Sequence, residues 1–213
     1  MMLAGFGASL EAVVSDVART ISEVGATDAE LTEGFGVKAY DSELSESFTP
    51  TGNSRYFDDA GKEYRVGNEL IPNNSYEING YSYITDDLGR ISSASGTLHM
   101  KDHEGRLPIR DSIEDIGKGD QRNTDDRGHL IGDQFDGSNG LENMIPQDAG
   151  INRNDFKNFE NDLAVQVKSG SEVYVSVEPN YEGDSRRPTS VAVFYEINGT
   201  ESYREFPNSS GGI

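Results

Sequence analysis

Asp126-Arg127-Gly128-His129 precedes an ordered run of Asn143, Gln147, Asn152 and Glu160. These side chains offer one imidazole, several neutral amides and one carboxylate. An imidazole titrates near 6.5 and is substantially neutral at physiological pH, so His129 can take a proton from an attacking water. An amide oxygen such as that of Asn152 can hold a hard divalent cation without cancelling its charge, leaving positions open for phosphate oxygens. This is the residue set of a one-metal phosphodiesterase, with Mg²⁺ as the expected ion and Mn²⁺ as the alternative.

Residues 153–168 carry an apolar stripe of Phe156, Phe159, Leu163 and Val167 and predict a helix, with Asn152 or Asn154 placed to cap it. Eight residues at about 100° each bring Glu160 to within roughly 80° of Asn152, and the Asn152, Phe156, Glu160 row gives them one helix face. Asn79-Gly80 between alternating segments predicts a hairpin, since both turn positions accept positive φ. A second turn is expected at 86–89 and strands at 90–100, 172–178 and 190–197, with 102–128 polar and turn-rich. The fold class expected is α+β, a mainly antiparallel central sheet with few helices.

The chain has 213 residues, enough for one domain with a short appendage. Residues 9–32 space apolar side chains as an amphipathic helix. The Ser/Glu/Asp/Thr/Gly-rich stretch 40–54 is the linker candidate, placing a boundary near 48: an N-terminal segment 1–48 and a catalytic domain 49–213. No apolar run approaches the roughly 20 residues of a membrane span, so no membrane partner is expected. The first residues lack the basic region of a cleaved secretory signal. With no cysteines, disulfides and thiolate metal sites are excluded.

Charge opposes the chemistry. There are 38 acidic and 18 basic residues, a net −20 that repels phosphate backbones. Half of the basic residues fall in 101–168, yet that segment still holds 9 basic against 15 acidic groups. Such a nuclease binds substrate weakly and salt-sensitively unless a cation and local arginines face it.

Residues 69–206 resemble the DNA/RNA non-specific endonucleases, the group with a ββα-metal core, and in particular the bacterial toxin-associated branch linked to type VII secretion. The resemblance rests on Asp126-Arg127-Gly128-His129, on Asn143-x-x-x-Gln147-x-x-x-x-Asn152 and on Glu160, with further similarity across Leu70 to Tyr81. It implies a ββα-metal core, DNA and RNA as substrates, 5′-phosphate products, His129 as general base, Asn152 on the metal and Glu160 holding a metal-bound water. It also implies a secreted toxin domain with an immunity protein as partner; a cytoplasmic location is the alternative. Sequence-tolerant cleavage accords with chemistry confined to the backbone.

Other residues admit two readings. Arg127 can clamp phosphate or pair with Asp125 or Asp126. Arg122 matches a basic position common in that branch and is the foremost substrate-binding candidate, with Asp126, Asn143 and Gln147 assigned beside it; the two amides are also suited to fixing the loop that presents Asn152 and orienting His129. Gly128 is expected to give the backbone a tight turn. Arg106, Arg110, Arg153 and Lys157 are phosphate contacts or solvated surface. His99 and His103 read as surface residues, 133–142 as a turn-rich loop, and Tyr76, Tyr81 and Tyr83 as sheet packing. The competing class is an idle nuclease fold serving as a protein-binding module, favoured by the charge and opposed by the intact His129, Asn152 and Glu160.

Overall fold

The Asn-Gly signal is realised as read. In the computed structural model, which describes residues 52–209, Asn79 and Gly80 take φ of 54° and 78°. They join strands Ser75–Ile78 (β4) and Tyr81–Thr85 (β5) in an antiparallel pair. The next turn is tied by the Asp86 carboxylate, which accepts from the N–H groups of Leu88 and Arg90, and leads into Ile91–Thr97 (β6). The amphipathic helix at 9–32 and the boundary near 48 lie outside the described residues.

Before this hairpin come three short strands, Arg55–Phe57 (β1), Glu63–Val66 (β2) and Glu69–Leu70 (β3), which form their own antiparallel sheet. After it, Ile113–Gly117 (α1) is a short helix capped by Ser112, whose hydroxyl accepts from the Asp115 N–H. Asp125–His129 (β7) and Met144–Asp148 (β8) pair as a separate two-stranded sheet. A π-helical turn, Ile151–Phe156, then runs into Lys157–Lys168 (α2). Val173–Asn180 (β9), Ser190–Ile197 (β10) and Thr200–Pro207 (β11) complete a six-stranded sheet of order β11-β10-β9-β6-β5-β4. The architecture is α+β with antiparallel pairing throughout the described residues.

The core forms where alternating strand residues meet the helix stripe. Val173, Val175, Val177, Val191, Val193 and Phe206 are buried on the sheet, and Phe156, Phe159 and Leu163 on the helical segment. Phe206 packs edge-on against Phe156 at 5.0 Å between centroids. On the other side, Tyr76 stacks on Tyr64 at 4.7 Å and on Tyr83 at 5.4 Å. Tyr76, Tyr81 and Tyr83 are all buried; they pack the sheet and present no face to nucleic acid.

Two local expectations are corrected, and one further strand is found. Neither Asn152 nor Asn154 caps the helix: Asp148 Oδ1 accepts from the N–H groups of Gly150 and Ile151 instead, because the π turn begins the helical segment earlier. The stretch 102–128 contains α1 and the start of β7. Strand β11 follows an Asn198-Gly199 turn, with φ of 49° and 81°, the same signal as at 79–80.

Candidate active site

Strands β7 and β8 and the π turn running into α2 make a ββα unit, and each carries part of the site. Asn208 fastens this unit to the C-terminal strands: buried beside β8, its amide donates to the carbonyls of Pro146 and Pro188 and accepts from the Asp148 N–H. Within β7–β8 the register sets Asp126 opposite Gln147 and Gly128 opposite Ile145.

Gly128 serves side-chain clearance rather than a tight turn. A Cβ at this position would collide with Gln147, whose side chain crosses over the glycine. Gly128→Ala therefore forces a repacking between the paired strands. Overpacking of this kind costs about 1–3 kcal/mol, and thermal unfolding should show a melting temperature lowered by about 2–4 °C for each kcal/mol.

His129 closes β7 with only 7% of its surface exposed. Its Nε2 lies 3.0 Å from Asn139 Oδ1. With the amide oxygen toward the ring, Nε2 carries the hydrogen and Nδ1 keeps its lone pair. Burial disfavours the imidazolium and moves the pKa below 6.5; the Asn139 hydrogen bond acts the other way, and the positive charges of Arg106 and Arg127 push it down further. The ring is thus a neutral base at pH 7.

Asn152 sits in the π turn and donates Nδ2 to Asp126 Oδ2 at 3.0 Å. That fixes the amide with Oδ1 turned away from Asp126. Arg153 clamps the same carboxylate from the other side, at 2.7 and 2.6 Å, and these bonds hold Asp126 below the usual carboxylate range. Both oxygens of Asp126 are engaged by Asn152 and Arg153, so it orients the Asn152 amide. The expected Asn152, Phe156, Glu160 row does not persist as a regular α-helical row, because the π turn spans Ile151–Phe156 and changes the residue period there.

Glu160 is directed at Gly132, three residues beyond His129, so closely that a Cβ on Gly132 would meet its carboxyl. Enclosure of this carboxyl raises its pKa to about 8, against the opposing influence of Arg106 and the Gly132 N–H. No salt bridge to Glu160 exists among the described residues. A half-buried carboxyl with no cationic partner among the described residues and an amide oxygen aimed away from its partner fit a hard divalent cation with oxygen ligands. Asn152 and Glu160 are the residues that could hold it, directly or through water. Among the described residues no trio of His, Asp and Glu is disposed as a metal site.

An open cleft of about 490 Å³ is lined by Arg106, Leu107, Asp126, Arg127, Asn152 and Arg153 among others. The positive charge of Arg106 favours the ionised forms of Asp126 and Glu160 and disfavours the imidazolium of His129. Nothing in its spacing distinguished it from other arginines. Arg127 pairs with neither Asp125 nor Asp126; its Nη1 donates to the Asp111 carbonyl at 3.0 Å, while Asp125 is held by Arg187. Its exposed side chain remains on the cleft.

The other assigned residues lie elsewhere. Arg122 lines a separate surface cleft with Asp120, Glu182 and Arg187, at the opposite end of β7 from His129. Asn143 and Gln147 are 0% and 1% exposed, so they are removed from substrate in this conformation. Asn143 instead knits the loop: it accepts from the Ile131 N–H and donates to the carbonyls of Ile131 and Ser138. Asn139, the partner of the imidazole, was hidden in a Gly-rich loop where amides are commonplace.

Comparisons with known proteins identify the family. The protein is 36% identical over 137 residues to the type VII secretion system protein EssD of Staphylococcus aureus (strain USA300), taking in 61% of this chain and 22% of EssD. It is 26% identical over 172 residues to the probable deoxyribonuclease RhsA of Dickeya dadantii, covering 72% of this chain and 12% of RhsA. The chain thus spans a small part of the length of these curated relatives. The magnesium-bound crystal structure of NucA from Streptococcus agalactiae aligns with a TM-score of 0.49 at 16% identity, over 66% of this chain and 73% of NucA. A family model covers residues 72–199, from just before β4 to the β10–β11 turn. That stretch contains the whole ββα unit, and the chain accordingly belongs to the DNA/RNA non-specific endonuclease family.

Proposed function

We propose that the protein is a metal-dependent, sequence-nonspecific endonuclease that hydrolyses DNA and RNA to 5′-phosphate products. The observation that carries this reading is the imidazole of His129, oriented by Asn139 and two residues along β7 from Arg127, which lines a cleft together with Asn152 and the exposed Arg106. His129 Nδ1 takes the proton of the attacking water. Arg106 and Arg127 receive the phosphate backbone, offsetting locally the repulsion of a chain with net charge −20. Asn152 and Glu160 hold Mg²⁺, or Mn²⁺ in its place. When bound, the ion supplies charge stabilisation of the scissile phosphate and the leaving oxygen. The likeness to EssD, a type VII secretion system protein, supports secretion; deployment as an antibacterial toxin domain kept in check by an immunity protein belongs to the same proposal.

Incubation with plasmid DNA and with RNA, in Mg²⁺ or in chelator, tests the reading. Both substrates should be cut in Mg²⁺ and neither in chelator. Cleavage that survives chelation would overturn the metal-dependent mechanism, and no cleavage in Mg²⁺ or Mn²⁺ at any salt level would establish the idle binding module instead.

The depressed pKa of His129 fixes the acid limb of the pH profile. The base must be neutral, so with Mg²⁺ saturating, and Glu160 thereby held ionised, log kcat/KM should be level through neutrality and fall with unit slope once the pH drops through a break below 6.5. A break at or above pH 7 would show that another group is titrating.

A further inference from the structure

Glu142 is an acid that the reaction does not use, and it is buried to 0% exposure. One oxygen, Oε1, is bound by the Ser138 hydroxyl and by Arg110 Nη2. The other, Oε2, has no hydrogen-bond partner and faces Arg65 Nη1 at 3.7 Å. Arg65 in turn forms a buried pair with Asp111, whose carboxylate accepts from the Leu141 N–H at 2.7 Å. Burying such a charge with one oxygen unsatisfied is costly, and packing alone does not require it.

The groups held by this carboxylate surround Asn139. Ser138 precedes it. Arg110 grips it from outside, with its peptide N–H donating to the Asn139 carbonyl at 2.8 Å. Gly140 follows it, and a Cβ there would strike both the Glu142 carboxylate and the Arg110 guanidinium. The backbone on both sides of Asn139 is therefore fixed against one buried anion, while the Asn139 side chain reaches the imidazole of His129.

We propose that Glu142 is a positioning residue for His129, acting through Ser138 and Arg110 to hold Asn139 where its amide oxygen sets the tautomer and orientation of the ring. This rests on the reading of His129 as the general base. Glu142→Gln keeps the shape and removes the charge that binds both partners. Asn139→Ala removes the last link.

The experiment compares wild type, Glu142→Gln, Asn139→Ala and the double variant by kcat and KM, and by ¹⁵N NMR of the imidazoles, with His129→Ala identifying the His129 signals. The wild-type spectrum should show His129 protonated at Nε2. Each single variant should lose that preference and lower kcat about tenfold or more with KM within about twofold, because supporting groups of this kind are worth about 10–100-fold. The double variant should be no worse than Asn139→Ala alone, since the two residues act in series. Additive losses, or an unchanged His129 tautomer in Glu142→Gln, would overturn the proposal. If Glu142→Gln does not fold, Ser138→Ala, which deletes one contact to the carboxylate, must still shift the tautomer. The two readings fail separately: activity retained in His129→Ala removes the base assignment, whereas an inactive His129→Ala beside an undisturbed Glu142→Gln removes only the role of Glu142.

Discussion

His129→Ala should leave a folded protein whose phosphodiester cleavage is reduced about 10²- to 10⁴-fold, the usual contribution of a positioned general base. The loss should appear in kcat, because the imidazole acts on water and makes no call on substrate affinity, which the cleft assigns to Arg106 and Arg127. The fold should persist for a physical reason. His129 is buried, but its side-chain hydrogen bond goes to a loop residue, Asn139, while the backbone on either side is held by β7–β8 pairing and by Leu130 N–H donating to the Asn143 carbonyl at 3.0 Å. Truncation leaves a small cavity and an Asn139 amide oxygen without its imidazole partner. Cleavage of plasmid by wild type and variant in the same Mg²⁺ buffer, beside near-ultraviolet circular dichroism of each, separates a chemical defect from an unfolding one. Activity within about threefold of wild type would remove His129 from the mechanism and move the search to another base.

What could be read from the sequence was set by the range of the interaction concerned. The hairpin at Asn79-Gly80 and the apolar stripe on α2 depend on residues a few positions apart, and both were legible. His129 could be picked out because histidine is scarce in this chain, which has only three, whereas Asn152 and Glu160 stood out by their ordered spacing after it and not by residue type. The partners that make them work were not legible. Asn139 meets His129 across ten residues, and Arg65 meets Asp111 across forty-six; no local pattern marks either pair. Arg122 illustrates the converse. It stands close to His129 in sequence, yet an extended strand carries the two ends of that stretch apart, and proximity along the chain ceased to mean proximity in space. The π turn was likewise invisible, since a single change of helical period leaves no mark on composition.

Asn152→Ala should reduce cleavage about a hundredfold or more at ordinary Mg²⁺ concentrations, because charge stabilisation by a bound cation is worth several kcal/mol. Two effects of the substitution separate. The amide oxygen offered to the cation is lost, and so is the hydrogen bond to Asp126. The second loss is mild, since Arg153 still holds both oxygens of that carboxylate. Activity should therefore recover in part as Mg²⁺ is raised, which an unfolded or misassembled site would not allow. Thermal denaturation gives an independent readout: a ligand at 100 times its Kd stabilises the native state by about 2.7 kcal/mol, so Mg²⁺ should raise the melting temperature of wild type and do so much less for the variant. Glu160 supplies the sign of the pH dependence. Its pKa is raised from 4.5 to about 8, so without a cation the native carboxyl is protonated at pH 7 while the unfolded one is ionised. Native stability from this group is present below pH 4.5 and is lost as the pH rises toward 8. A cation that favours the ionised carboxyl must displace that proton, so Mg²⁺ binding to wild type at pH 7 should release protons, detectable as a dependence of the calorimetric heat on buffer ionisation enthalpy. Asn152→Ala that keeps wild-type Mg²⁺ dependence, melting shift and proton release would place the cation elsewhere on the molecule.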